Sequence, residues 1–239
     1  MALKFIEKQI VGTIDSLEEK LNGELPINRL ELLYLVNSWG RDKELYTNEN
    51  IIIPKCEAKE CYDLSKLDTS EITDMSQLFE YSMFNDIHST NGIGLHNGDI
   101  SNWVVSNVTD MYGMFRDAKA FNQPLDNWKT YNVLFMDEMF CNAESFNQDI
   151  NSWDISKVKD MGWMFNNAKN FDKPILWDLS KVETLIFIFY EAKAFQDKFN
   201  NGKFLSSKTE DLKVWFVENR DIMLALNINN NDKKELDNY

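Results

Sequence analysis

Apolar and polar positions along this chain recur with a period much longer than a helical turn or a strand pleat. The stretch "DMYGMFRDAKAFNQ" at residues 110–123 returns as "FMDEMFCNAESFNQ" at 135–148 and as "DMGWMFNNAKNFDK" at 160–173. Tryptophans set the register: Trp103, Trp128, Trp153 and Trp177 are spaced by 25, 25 and 24 residues. Counting each Trp as position 0, position 5 reads Val108, Val133, Val158 and Val182, and position 8 reads Met111, Met136, Met161 and Leu185. Positions 11 and 12 read Met114-Phe115, Met139-Phe140, Met164-Phe165 and Ile188-Phe189. Position 15 is Ala118, Ala143, Ala168 and Ala192, and position 18 is Phe121, Phe146, Phe171 and Phe195. A degraded fifth copy starts at Leu67 and keeps Ile72, Met75, Leu78-Phe79 and Ser82, with Phe84 one place early; an insertion containing "HSTNGIGLHNG" separates it from Trp103. Such self-similarity marks a repeat architecture.

Within a copy, apolar residues at positions 8, 11, 12 and 15 keep the three-and-four rhythm of one helical face, which predicts about two turns of helix over "MxxMFxxA". Asp74, Asp110 and Asp160 immediately precede that segment and are expected to cap it, with a carboxylate accepting from free backbone N–H groups. The stretches "VVSNV", "DISKV" and "DLSKV" before the Asp are short and β-branched, and read as brief extended segments. Each copy is therefore expected to be a short strand, a short helix and a return loop such as "FNQPL".

One such unit orders a long backbone around too few apolar side chains to fold alone, so the copies must share their apolar faces with their neighbours. The expected architecture is an α/β repeat solenoid of short parallel strands plus short helices, with helical N- and C-terminal caps over its apolar ends. Residues 1–50 are the expected N-terminal cap, 51–200 the repeats (copies starting near 67, 103, 128, 153 and 177), and 201–239 the C-terminal cap and a polar tail expected to fray. In the first cap, Ser16 with Glu19 reads as a helix start and Gly23 as its stop. Pro26 then opens and Gly40 closes a second helix, with Ile27, Leu30, Leu33 and Tyr34 at helical spacing. "NIIIP" is a candidate first strand. At the other end Ser207 with Glu210 signals a helix whose Leu212, Trp215, Phe216 and Leu224 are expected to cover the last copy.

"WDISKVKDMGWMFNNAKNFDKPI" and "WVVSNVTDMYGMFRDAKAFNQPL" closely resemble the repeat of about 25 residues of the BspA-like bacterial surface proteins, also catalogued as a mycoplasma-type domain of unknown function. The resemblance covers about residues 67–200. It implies a leucine-rich-repeat-like solenoid, display on cell surfaces or as a lipoprotein, and adhesion or protein binding, with no catalytic residue in the repeat pattern.

A formal charge of −14 sets a class aside: nucleic-acid binders displace condensed counterions with Lys and Arg, so a polyphosphate partner is not expected. No apolar run long enough to span a bilayer occurs, and the first residues carry charges where a signal peptide needs its apolar stretch. The chain as given is expected in the cytoplasm, or at the cell surface if it is a mature fragment. Cys56, Cys61 and Cys141 are too few, and odd in number, for a disulfide framework.

Four metal-ligating side chains, Cys56, Cys61, His88 and His96, lie near the insertion, but their spacings are wider than those of zinc knuckles and fingers. They support only a minor alternative, a metal-dependent protein. No Ser-His-Asp or Cys-His signature is present, and "NGIGLHNG" lacks the Lys of a phosphate loop, so neither an enzyme nor a cofactor is expected. Asn122, Asn147, Asp172 and Gln196 follow the position-18 Phe and are read as a ladder satisfying loop backbone groups. The four register tryptophans are read as packing. Trp163 sits at position 10, where other copies have Gly113, Glu138 and Phe187, and is an aromatic at a free position, hence an interface candidate.

Positions 4 and 6 carry the most informative variation, reading Glu71/Thr73, Asn107/Thr109, Asn132/Leu134, Lys157/Lys159 and Lys181/Glu183. The row passes from acidic to basic. Residues 67–100 hold six acids and no Lys or Arg, whereas 154–200 hold seven acids and seven lysines. The expected function is non-catalytic protein–protein interaction through the strand face, with Asn107, Asn132, Leu134, Lys157, Lys159, Trp163 and Lys181 as partner-binding residues and the lysines meeting an acidic segment. A surface adhesin for host matrix or glycan is the alternative the resemblance suggests.

Overall fold

The computed structural model describes residues 19–20, 22–37, 45–46, 52–53, 64–81, 99–203, 205 and 208–236. Cys56, Cys61, His88, His96, Ser16, Gly40, Ser207 and Phe84 lie outside them. The elements in chain order are α1 (Arg29–Asn37), β1 (Leu45–Tyr46), β2 (Ile52–Ile53), α2 (Lys193–Phe199) and α3 (Thr209–Leu236). β1 and β2 form an antiparallel pair, Leu45 opposite Ile53. The described parts of the five copies lie between β2 and α3 in the chain, with α2 in the last copy.

Inside the copies no helix forms over the "MxxMFxxA" segments, a correction to the sequence expectation; residues 76–81, 112–117, 137–142 and 162–167 are consecutive turns. The hydrogen bonds show why. The N–H groups of Met111, Gly113, Phe115 and Asp117 donate to the carbonyls of Phe135, Asp137, Met139 and Cys141 in the next copy, at 2.8–2.9 Å. The following interface repeats this from Met136, Glu138, Phe140 and Asn142 to Asp160, Gly162, Met164 and Asn166. A trans peptide holds its C=O and N–H on opposite sides, so every second peptide plane bridges to both neighbouring copies at once. The planes between close local turns, as in Met114 N–H to Met111 O at 3.2 Å and Arg116 N–H to Gly113 O at 3.0 Å. A helix aligns all its N–H groups along one axis and leaves none for neighbours, so stacking and helix formation compete for the same peptides. The apolar three-and-four spacing serves both arrangements.

Turning alternate planes requires left-handed backbone at positions 10 and 14. Gln77, Gly113, Glu138, Trp163 and Phe187 have φ of 54–58°, and Tyr81, Asp117, Asn142, Asn167 and Glu191 lie at 53–58°. Asn, Asp and Gly accept this region at the least cost. The strands reduce to single parallel bridges, Asp74 to Asp110 to Phe135 to Asp160 to Thr184. A reverse contact at position 6 completes each interface, with Leu134 N–H on Thr109 O and Lys159 N–H on Leu134 O, both 2.8 Å.

The shared interior is a set of ring columns. Phe79, Phe115, Phe140, Phe165 and Phe189 stack at 5.3–5.7 Å, and Phe121, Phe146, Phe171 and Phe195 at 6.0–6.1 Å. Trp128, Trp153 and Trp177 stack at 6.3 Å. Indole N–H groups of Trp103, Trp128 and Trp153 donate to the carbonyls of Leu64, Ile100 and Leu125, each at 2.9 Å. Trp177 follows the one 24-residue spacing, and its buried indole nitrogen has no partner. One residue fewer in the preceding loop puts that ladder out of register.

Both ends are closed by polar chemistry matched to what each exposes. α1 starts with a reciprocal cap: Glu31 N–H donates to Asn28 Oδ1 and Asn28 N–H to Glu31 Oε2, both 3.0 Å. That start aims Arg29 at the first copy, where its guanidinium donates to the carbonyls of Asp74 and Ser76 at 3.0 and 3.1 Å. At the far end Leu185 N–H donates to the Thr209 hydroxyl of α3 at 2.9 Å. Phe216 packs on Phe189 and Trp215 on Phe195. Leu212, Phe216 and Met223 are buried while Leu224 is exposed, so Met223 takes the covering role expected of Leu224. The described buried apolar residues, from Ile27 through the copies to Met223, form one cluster.

Candidate interaction surface

The three Asp residues read as helix caps instead close two-residue turns. Their Oδ1 atoms accept from the N–H groups of Ser76, Tyr112 and Gly162, each at 2.8 Å. The chemistry is the one expected, a carboxylate on free backbone N–H groups; the segment it starts is a turn. Asn122 and Asn147 form the expected loop ladder, accepting from Asn147 N–H at 2.8 Å and Asp172 N–H at 3.0 Å.

Position 4 divides into two kinds of residue. The side-chain amides of Asn107 and Asn132 donate to Ser70 O and Ser106 O of the preceding copies, each at 2.8 Å. These two bind the stack. Lys157 donates to Asn132 Oδ1 at 2.7 Å from an exposed position, and Lys159 and Lys181 are exposed too. Leu134 is half-buried. Asp154 and Asp178 lie beside the lysines; hydrogen bonds from Ser156 and Ser180, then the nearby Lys charges, hold both carboxyls below the usual range.

Trp163 belongs to a second row. Positions 9, 10 and 13 follow the bridge residues of position 7 in each copy and change in character along the stack. At the start they carry an ionic cluster that the sequence reading missed. Arg116 bonds the carboxylate of Glu80, which is 0% exposed, and also Glu138 Oε2 at 2.5 Å and the Tyr112 hydroxyl at 2.8 Å. Glu80 accepts further from Gln77 Nε2 at 2.9 Å. The signal was opposite charge at one repeat position, Glu80 and Arg116 at position 13. Cys141 occupies that position next; burial pushes its thiol up to about 11, which leaves it unreactive at neutral pH. At the far end the row is aromatic, with Trp163 against Phe187 at 4.4 Å and Tyr190 set edge-on to Phe187.

Between the halves stands Asp137, also unread in the sequence. Its carboxyl is pushed up to about 6 by burial, then by Asp160 and Asp110 in the flanking copies and by Glu138. A raised carboxylate pKa means that the folded chain holds a proton the unfolded chain has lost, so this contribution is full below about 3.9 and is lost as pH rises to about 6. Asp137→Asn is expected to flatten that fall and to raise the thermal midpoint at pH 7. Midpoints measured for both chains from pH 4 to 7 check it; parallel curves would contradict it.

Among the described residues no cluster of three or more His, Cys, Asp or Glu is arranged to hold a metal ion, and no helix is long and apolar enough to cross a membrane. Tandem copies that share one interior and differ at their outer positions define a repeat protein. The chain belongs to the family described as Mycoplasma protein of unknown function, DUF285, whose model matches residues 50–90 and 81–204. Comparison with curated proteins and with solved structures found no match.

Proposed function

We propose that this chain is a non-catalytic protein-interaction module, a leucine-rich-repeat-like solenoid of the BspA-like type, whose exposed row at positions 4 and 6 receives an acidic segment of a partner protein. The observation that carries the reading is the division of labour between positions. Repeated letters are spent on the interior columns, while Lys157, Lys159 and Lys181 stand exposed in consecutive copies. Parallel bridges hold successive copies at about the strand spacing of 4.8 Å, so one acidic segment can meet lysines of both copies. Charge complementarity at an exposed rim acts mostly on association rate and partner choice. Lys157→Glu with Lys159→Glu is expected to reduce capture of the natural partner from native-cell lysate at least tenfold, more so at low salt. Equal capture by the variant would remove this row from the interface.

A further inference from the structure

The aromatic end of the second row is a different surface from the lysine row. Phe135, Ile186 and Tyr190 are 40, 41 and 43% exposed, and Trp163 and Phe187 are half-buried beside them. Trp163 and Phe187 hold φ of 58 and 55° at a position where copy 103 uses Gly113. Bulky side chains are disfavoured in left-handed backbone, and these two are not buried in the ring columns, so the interior does not account for their presence. Large apolar residues gathered on an open face mark contact surfaces.

The charges beside this patch decide what it fits. In the same three copies, positions 6 to 14 hold Asp137, Glu138, Asp160, Glu183 and Glu191 against the single lysine Lys159, and the Asp160 carboxylate lies at Gly162 next to Ile186. Glu138 is engaged by Arg116 at 2.5 Å. Asp137 is half-buried and feels the negative charges of Asp160 and Asp110 in the adjacent copies. A second copy of this chain, at −14, is electrostatically disfavoured here. A cation is favoured twice, by the carboxylates and by the ring faces of Trp163 and Tyr190.

We infer that the patch of Trp163, Phe187, Tyr190 and Ile186, rimmed by Asp137 and Asp160, binds a protein segment that presents a Lys or Arg side chain next to an apolar anchor. The inference rests on the reading of the chain as an interaction module but uses neither Lys157 nor Lys181, so the two surfaces fail separately. The rings supply the apolar contact and the carboxylates select the sign of the charge beside it.

The test is selection of a displayed library of random twelve-residue peptides on the full chain, followed by binding of the enriched synthetic peptides to variants. Trp163→Gly installs the residue that copy 103 carries at this place, so the fold is expected to survive; Tyr190→Ser is the second variant, and thermal midpoints verify both. Enriched peptides are expected to carry Lys or Arg within two or three places of a Leu, Ile or aromatic residue. They are expected to lose tenfold or more in affinity for Trp163→Gly and Tyr190→Ser, to weaken similarly for Asp137→Asn, and to bind Lys157→Glu/Lys181→Glu undiminished. Acidic peptides that depend on Lys157 and Lys181 would overturn this inference and leave the lysine row standing. No enrichment, or binding indifferent to Trp163 and Tyr190 in folded variants, would also overturn it.

Discussion

Phe146→Ala is expected to destabilise the fold by about 3–5 kcal/mol, near the upper end for a single buried side chain. Phe146 is 0% exposed and lies between Phe121 and Phe171 at 6.0 Å on either side, with Phe140 at 3.8 Å. Removing the ring leaves a cavity lined by three other rings; Phe140 N–H is held by Met164 O of the next copy, and Ser145 N–H to Lys119 O and Asn170 N–H to Glu144 O tie the loops beside Phe121, Phe146 and Phe171, so collapse into the space is resisted. Phe146→Leu retains most of the volume and is expected to cost about 1–2 kcal/mol. Equilibrium urea unfolding of both variants, at unchanged m-value, measures the two costs. A loss below about 1 kcal/mol for the alanine variant would mean that the rings do not share one interior.

Arg116→Met is expected to be comparably damaging for an electrostatic reason. Glu80 is fully buried, and Arg116 is paired with it as a counter-charge among the described residues. Removing one partner of a buried pair leaves an uncompensated charge and costs about 3–5 kcal/mol, whereas replacing both groups by neutral ones of similar size can be close to neutral. Arg116→Met with Glu80→Gln is therefore expected to recover most of the loss, since Gln77 can still hydrogen-bond the amide. The double-mutant cycle from urea unfolding gives the coupling directly. A double variant no more stable than Arg116→Met would contradict the pairing.

Much of the molecule was legible because identity at a repeat position is visible without knowing the fold. The rows of Trp and Phe announced residues that meet their equivalents one copy away, and those rows are the ring columns; the Met and Ala rows are buried with them. Helices inside the copies were misread because Met111, Met114 and Phe115 have the spacing of a helical face and equally that of successive three-residue turns. The discriminating signal was present at positions 10 and 14, where Gly113, Asp117, Asn142 and Asn167 are residues that tolerate left-handed backbone. Glu80 with Arg116, and Asp137 with Asp110 and Asp160, escaped notice because they are related across copies by complement or conflict of charge, which a search for sameness passes over. Asn107 and Asn132 read as surface positions, yet a short amide at position 4 reaches the carbonyl of the copy before it, and the longer Lys157 in the same place reaches the Asn132 side-chain oxygen while staying exposed.

Native-state hydrogen exchange, resolved by residue, tests the stacking most directly. The amides of Gly113, Phe115, Glu138, Phe140, Trp163 and Phe165 donate only across to the next copy. They are expected to exchange with the free energy of global unfolding, and to lose protection together in Phe146→Ala. Fast exchange at these six amides in the folded chain would contradict the account.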